Sequence, residues 1–258
     1  MSLIGVVGDG CTTTALGIAA MWPVDEPCLV AEFDPAGGCL GAWLDLPLSP
    51  GLADVVAATI PGSMPAIEAA VQRAASGTHV LLAPARAVEA VAVVNAAASS
   101  VLPVLAAVDS PVVVADGGRL RGALSPLTVK SGIVVIAHRQ NAGSAAAATV
   151  GLERVAELTS LLAARAIPTV VALIGDRPYT AAEVAEFVDT DSVVAVTHDP
   201  WAAAVLAGRA GSATRLRRSP LMRSFARLAT ELSSRLRHAG LAEHFAGSID
   251  ERWIGDHA

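Results

Sequence analysis

Residues 3 to 21 read Leu-Ile-Gly-Val-Val-Gly-Asp-Gly-Cys-Thr-Thr-Thr-Ala-Leu-Gly-Ile-Ala-Ala-Met. An apolar run of strand character, Leu3 to Val7, passes through a glycine-rich turn into an alanine-rich run of helix character. That order predicts a helix whose N-terminal N–H groups face a loop, which is how chains build a phosphate-binding loop. Gly5 and Gly10 have the spacing of the pattern G-x-x-x-x-G-K-[ST], and Thr12 fills its Ser/Thr place. Cys11 stands where that pattern has lysine. A lysine there reaches the β- and γ-phosphates, whereas a thiol is shorter and uncharged, and Asp9 adds a negative charge beside it. At an effective dielectric of about 20, a unit pair at ~4 Å is worth roughly 4 kcal/mol. The exchange therefore opposes triphosphate binding, while the helix-end N–H groups of the loop (Gly8, Asp9, Gly10, Cys11, Thr12, Thr13) still suit a weakly held anion such as ATP or ADP.

Further apolar runs follow at Pro27–Asp34, His79–Ala83, Pro111–Asp116, Gly132–Ala137, Pro168–Ile174 and Ser192–Val196. Helix-like stretches lie between them, at about 65–76, 88–107, 144–165 and 180–188, and a last one spans 220–239. Near-continuous apolar strands alternating with helices predict an α/β fold of three layers, a mostly parallel sheet covered on both faces. Ligands in such sheets bind beyond the carboxyl ends of the strands. That edge should carry Asp34, Arg86, Asp116, Arg119, His138, Arg139, Asp176 and Arg177.

Hydrophobic residues make up 53% of the 258 and charged residues 16%, the balance of a chain with much buried sheet. A single domain over 1–240 with an acidic tail over 241–258 is expected. No apolar run is long enough to predict a membrane span. Cys11, Cys28 and Cys39 are an odd number without metal-ligand spacing, which points to a reduced, cytoplasmic protein. The net charge of −6 disfavours non-specific DNA binding by the whole surface. Between Arg209 and Arg237, however, eight arginines accompany a single acid, Glu231. Leu221, Phe225, Leu228, Leu232 and Leu236 recur there at helical spacing, so a leucine face packed on the sheet with a solvated basic face is one reading and a surface for DNA or an acidic partner is another. Arginine in place of lysine, with abundant alanine, fits a high-GC coding bias.

The order of motifs resembles the ParA/MinD-like ATPases, a class of dimerising P-loop proteins. Gly5 to Ala20 is similar to their P-loop and first helix, Asp34-Pro35-Ala36-Gly37-Gly38 to their Asp-Pro-x-Gly segment, and Val112 to Asp116 to their Walker B strand. The resemblance implies that Thr12 and Asp116 handle Mg²⁺ and that Asp34 lies near the attacking water. It further implies a second lysine, reaching the partner's nucleotide across the dimer, at the place of Val6. Lysine-poor members of the family, among pilus-assembly and septum-site proteins, combine an atypical loop with localising or scaffolding roles, and actinobacterial members resemble this chain in composition. Asp176 and Arg177, after the sixth strand, join the candidate nucleotide contacts.

Three functions stay open on the sequence. One is a non-catalytic or weakly nucleotide-binding regulatory scaffold, a homodimer or the subunit of a protein partner. A second is a slow Mg-ATP hydrolase in which Arg86, Arg119, Arg139 or Arg177 replaces the missing ammonium. The third is a DNA-associated partitioning protein. The plain alternative for the loop is a tight turn with Thr12 as helix cap, Asp34 capping the turn before Pro35, and Asp116 satisfying backbone groups.

Overall fold

In a computed structural model of the chain, the described residues are 2–23, 27–119, 124–140 and 143–254, with side chains described to 238, that of 145 excepted. Eight strands are present among them: β1 (Leu3–Gly8), β2 (Cys28–Glu32), β3 (Gln72–Arg73), β4 (His79–Leu81), β5 (Val112–Asp116), β6 (Ile133–Arg139), β7 (Thr169–Ile174) and β8 (Val193–Val196). They form one sheet in the order β3-β4-β2-β5-β1-β6-β7-β8, with every neighbouring pair parallel except β3 and β4. β1, the strand that feeds the glycine loop, is therefore central, flanked by β5 and β6.

Both faces are covered, which is why the central strands read as unbroken apolar runs rather than as an alternation. Ile4 and Val6 of β1 pack beneath α1 (Cys11–Ala20), α2 (Leu40–Leu44) and the helices of the C-terminal third. Leu3 and Val7 point to the opposite layer. That layer is built from α3 (Leu52–Ala57), α4 (Met64–Ala70), α5 (Ala87–Ser100), α6 (Leu102–Ala107), α7 (Pro126–Lys130), α8 (Ala145–Ala163) and α9 (Ala181–Phe187). The first face is completed by α10 (Pro200–Leu206), α11 (Ala213–Arg217) and α12 (Pro220–Ile254).

The leucine face of α12 is packed: Leu221, Phe225, Leu228 and Leu232 are buried against α1 and the sheet, while Arg223 and Arg227 are exposed. The contact is close enough to dictate a residue on the other helix. A Cβ at Gly17 would lie 2.1 Å from the Phe225 ring, so α1 needs glycine there.

Three helix boundaries differ from the sequence reading, and five short helices are added to it. The helix expected over 65–76 stops at Ala70, because Gln72 and Arg73 pair antiparallel with β4 and close the sheet edge. The stretch expected over 88–107 divides at Val101, where Pro103 can only enter a new first turn. The last helix continues past 239 to Ile254. The short helices α2, α3, α7, α10 and α11 had no counterpart in the sequence reading; with five to seven residues each they carry too little periodicity to be recognised.

Candidate functional site

β1 ends at Gly8, whose φ of 114° and whose closeness to Ala137 exclude a side chain: a Cβ would meet the Ala137 carbonyl oxygen at 2.1 Å. The Gly8 N–H donates to the Gly118 carbonyl at 2.9 Å, tying the loop to the end of β5. Gly10, at φ 93°, is the N-cap of α1 and uses no side chain; its carbonyl accepts from Thr14 N at 2.9 Å. Thr12, read above as a possible cap, is instead inside the first helical turn.

That placement turns Cys11 and Thr12 toward the carboxylates at the strand ends. Cys11 is 6% exposed. Asp116 is 2% exposed. It accepts from the Thr12 hydroxyl and the Cys11 thiol, and from Gly118 N at 3.1 Å. Burial, and then the nearby Asp116 charge, push the Cys11 thiol well above its ordinary range, so it is a neutral donor. Cys39 closes the same cluster, its Sγ 3.9 Å from Thr12 Oγ1, and burial followed by the Glu32 charge pushes it up to about 11. Burial raises the pKa of Asp116 too, against the lowering effect of its three donors, Thr12, Cys11 and Gly118.

Glu32 was missed as a site residue because it sits inside an apolar run. Across the β2–β5 register it stands beside Asp116, and it is 1% exposed. Its Oε1 accepts from Cys39 N and Leu40 N, both at 2.7 Å, and its Oε2 accepts from Ala83 N at 3.0 Å. Burial nevertheless raises it to about 7, against the lowering effect of these three bonds. Glu32 thereby pins the start of α2 to the end of β4, and the two glycines before it make room. A Cβ at Gly38 would lie 2.3 Å from Glu32 Oε2, and Gly37, at φ 117°, would place one 2.3 Å from the Ala85 carbonyl.

Asp34, half-buried, accepts from Ala36 N at 2.8 Å, the turn expected before Pro35. Its carboxyl lies over Gly118, close enough that a Cβ there would be 2.4 Å from Oδ1. Asp34, Asp116, Glu32, Cys11, Thr12 and Cys39 thus gather on the β2–β5 side of the loop. Thr12 Oγ1 and the Asp116 carboxylate are a donor set suited to Mg²⁺, which takes few protein oxygens and completes its shell with water and phosphate. Among the described residues, no three His, Cys, Asp or Glu side chains are arranged to hold a metal by themselves.

The other side of the loop is a cleft of about 520 Å³ between the ends of β1, β6 and β7, lined by Asp9, Arg139, Gln140, Gly175, Asp176, Arg177 and His198. Gln140 shapes it, donating to the Gly175 and Tyr179 carbonyls at 2.9 and 2.8 Å and accepting from Tyr179 N at 2.9 Å. A smaller cavity of about 80 Å³ adjoins it beneath Gly10 and Thr13, and Arg139 lines this one too. Of the four edge arginines, Arg139 is therefore the one that borders both spaces touching the loop. Arg177 shares the larger cleft, Arg86 is paired with Glu89 at 3.2 Å, and Arg119 lines an apolar cavity of about 120 Å³ with Phe33, Pro35 and Leu127. His138 points away into the protein: it is buried beside Gly151, its Nε2 has no hydrogen-bond partner, and burial lowers its pKa against the opposing Asp9 charge. Val6, at the place of the second lysine, is fully buried. No helix among the described residues is long and apolar enough to cross a membrane.

No family model and no curated protein matches the chain by sequence. Solved structures do match it by fold. The septum site-determining protein MinD of Pyrococcus horikoshii, complexed with Mg-ADP, superposes with a TM-score of 0.68 at 14% identity, over 89% of this chain and 95% of that one. MinD of Aquifex aeolicus, from a MinC:MinD complex, gives 0.68 at 12% over 91% and 96%. A ParA family ATPase of Chlorobium tepidum gives 0.65 at 17% over 89% and 98%. At these identities the shared property is the fold, the three-layer P-loop architecture of the MinD and ParA ATPases.

Proposed function

We propose that the chain is a ParA/MinD-like regulatory or scaffolding protein of the cytoplasm that binds nucleoside phosphates weakly and does not turn them over at a useful rate. It would serve the positioning of cell-surface assembly or of the division machinery, as a homodimer or through a protein partner. One observation carries this reading. The side chain at the lysine place of the loop is a buried neutral thiol that donates to Asp116, so it neither reaches a phosphate nor supplies charge. The buried Val6 removes the second cation expected of the family in the same way. The fold likeness to a MinD solved with Mg-ADP and to a MinD solved with MinC supports a nucleotide site and a protein partner as the frame for this reading. Calorimetric titration with ADP and ATP, with and without Mg²⁺, tests it: weak binding without phosphate release is expected, and tight Mg-ATP binding with turnover that Asp34→Ala abolishes would overturn it.

A second reading, slow hydrolysis, is favoured by Arg139 alone, because its guanidinium borders both spaces at the loop and such a group binds phosphate bidentately. In that case Thr12 and Asp116 would hold Mg²⁺, which when bound offsets phosphate charge, and Asp34 would orient water.

A further inference from the structure

The helices α10, α11 and α12 meet around a surface cleft of about 530 Å³ whose lining includes Asp199, Trp201, Arg215, Arg218 and Pro220. The Arg215 guanidinium lies over the Trp201 indole, 4.4 Å from the ring centroid, an arrangement that holds a cation on an apolar floor. These two arginines belong to a denser set. Arg209, Arg215, Arg217, Arg218, Arg223 and Arg227 follow one another without an intervening acid, and all are exposed. Folding does not account for them. α11 buries none of its residues, and the buried face of α12 is made by its apolar side chains. Among the described residues none of the six has a carboxylate partner: Arg223 donates to the Arg218 carbonyl at 2.8 Å, and Arg227 reaches Ala195 O and Ser224 Oγ. The acid of the cleft, Asp199, is engaged as the cap of α10, accepting from Ala202 N at 3.0 Å.

We propose that this cleft docks an acidic polypeptide segment carrying an apolar anchor, with the anchor on Trp201 and Pro220 and the carboxylates on Arg215 and Arg218. Guanidinium groups bind carboxylates in a planar, two-point manner, and Trp and Arg are the residues on which binding energy concentrates at protein interfaces. The apolar floor of Trp201 and Pro220 between the arginines selects a polypeptide rather than a nucleic-acid duplex, because an apolar side chain can seat on it and a sugar-phosphate backbone cannot. The chain is at −6 even with this patch included, which weighs against a long polyanion, whereas a short flexible acidic segment can keep its charges over the cleft. The inference does not depend on what the glycine loop binds.

The test uses the full-length protein and fluorescence anisotropy of a short fluorescein-labelled peptide of alternating Glu and Leu with one central Phe, alongside a labelled mixed-sequence DNA duplex at the same ionic strength. Saturable peptide binding is expected, weakened at least ~10-fold in the Arg215→Ala/Arg218→Ala double variant and unchanged in Arg154→Ala, an exposed arginine of α8. Because all three side chains are exposed, thermal melting should confirm that the variants are folded. Absence of peptide binding, equal affinity in the double variant, or a duplex that binds more tightly than the peptide would each overturn the proposal, the last in favour of a nucleic-acid surface.

Discussion

Replacing Glu32 by Gln should change how the stability of this protein depends on pH. Burial raises the carboxyl of Glu32 from 4.5 to about 7 in the folded chain. Between those values the unfolded chain has released the proton and the folded chain still holds it, so the contribution of Glu32 to stability is fully present below about pH 4.5 and is lost as pH rises toward 7. A shift of about 2.5 units at ~1.4 kcal/mol each amounts to roughly 3 kcal/mol over that window. The raised Asp116 acts in the same direction, and because its charge is one cause of the rise at Glu32, the difference between the two profiles reports the pair. A glutamine can keep its Oε1 bonds to Cys39 N and Leu40 N but turns an N–H₂ toward the Ala83 N–H, which costs about 1–3 kcal/mol at any pH. Urea unfolding of both proteins at pH 5 and pH 7.5 separates the two effects. Glu32→Gln should be less stable at pH 5 and lose about 2 kcal/mol less than the wild type on going to pH 7.5, since part of the Glu32 effect is already spent at pH 5. Parallel pH profiles would show that Glu32 is already ionised at pH 5, and the picture of a proton-holding carboxyl beside the loop would fail.

Gly17→Ala should destabilise by about 1–3 kcal/mol, since its Cβ meets the Phe225 ring at 2.1 Å, and Phe225→Leu should cost less in that background than alone; additive losses in a double-mutant cycle would place the conflict elsewhere. The three free thiols should label slowly with a disulfide reagent at pH 8 and rapidly after denaturation, because burial raises Cys11, Cys28 and Cys39 alike. Rapid labelling of Cys11 in the folded protein would show that it is not buried against Asp116. Arg139→Ala should weaken ADP binding about tenfold, the worth of one charge-assisted contact of ~1.4 kcal/mol, and Arg86→Ala should not; equal affinities in calorimetry would remove Arg139 from the site.

The fold was legible because its central strands are buried on both faces, and such strands announce themselves as apolar runs ending in polar residues. Asp34, Asp116, Arg139, Asp176 and Arg177 follow those runs and do lie at the sheet edge around the loop. Glu32 was not legible, because its role rests on backbone donors from residues 39, 40 and 83, which the fold alone brings together. One signal did exist: an acid inside the run Leu29 to Phe33 has no reason to be there unless it is satisfied in the interior. The functions of Gly37 and Gly38 were equally hidden, since the sequence shows a turn and the structure shows two close approaches. Which arginine borders the loop could not be read either, because all four follow strands and only the strand order sets Arg139 and Arg177 beside Asp9.

The place of Cys11 decides the chemistry of the loop, and restoring the missing charge tests it most directly. Calorimetry of Cys11→Lys beside the wild type, with Mg-ATP, should show weak binding for the natural thiol and a gain of at least about tenfold for the lysine, or ~1.4 kcal/mol. Tight Mg-ATP binding by the wild-type protein, left unchanged by the lysine, would contradict it.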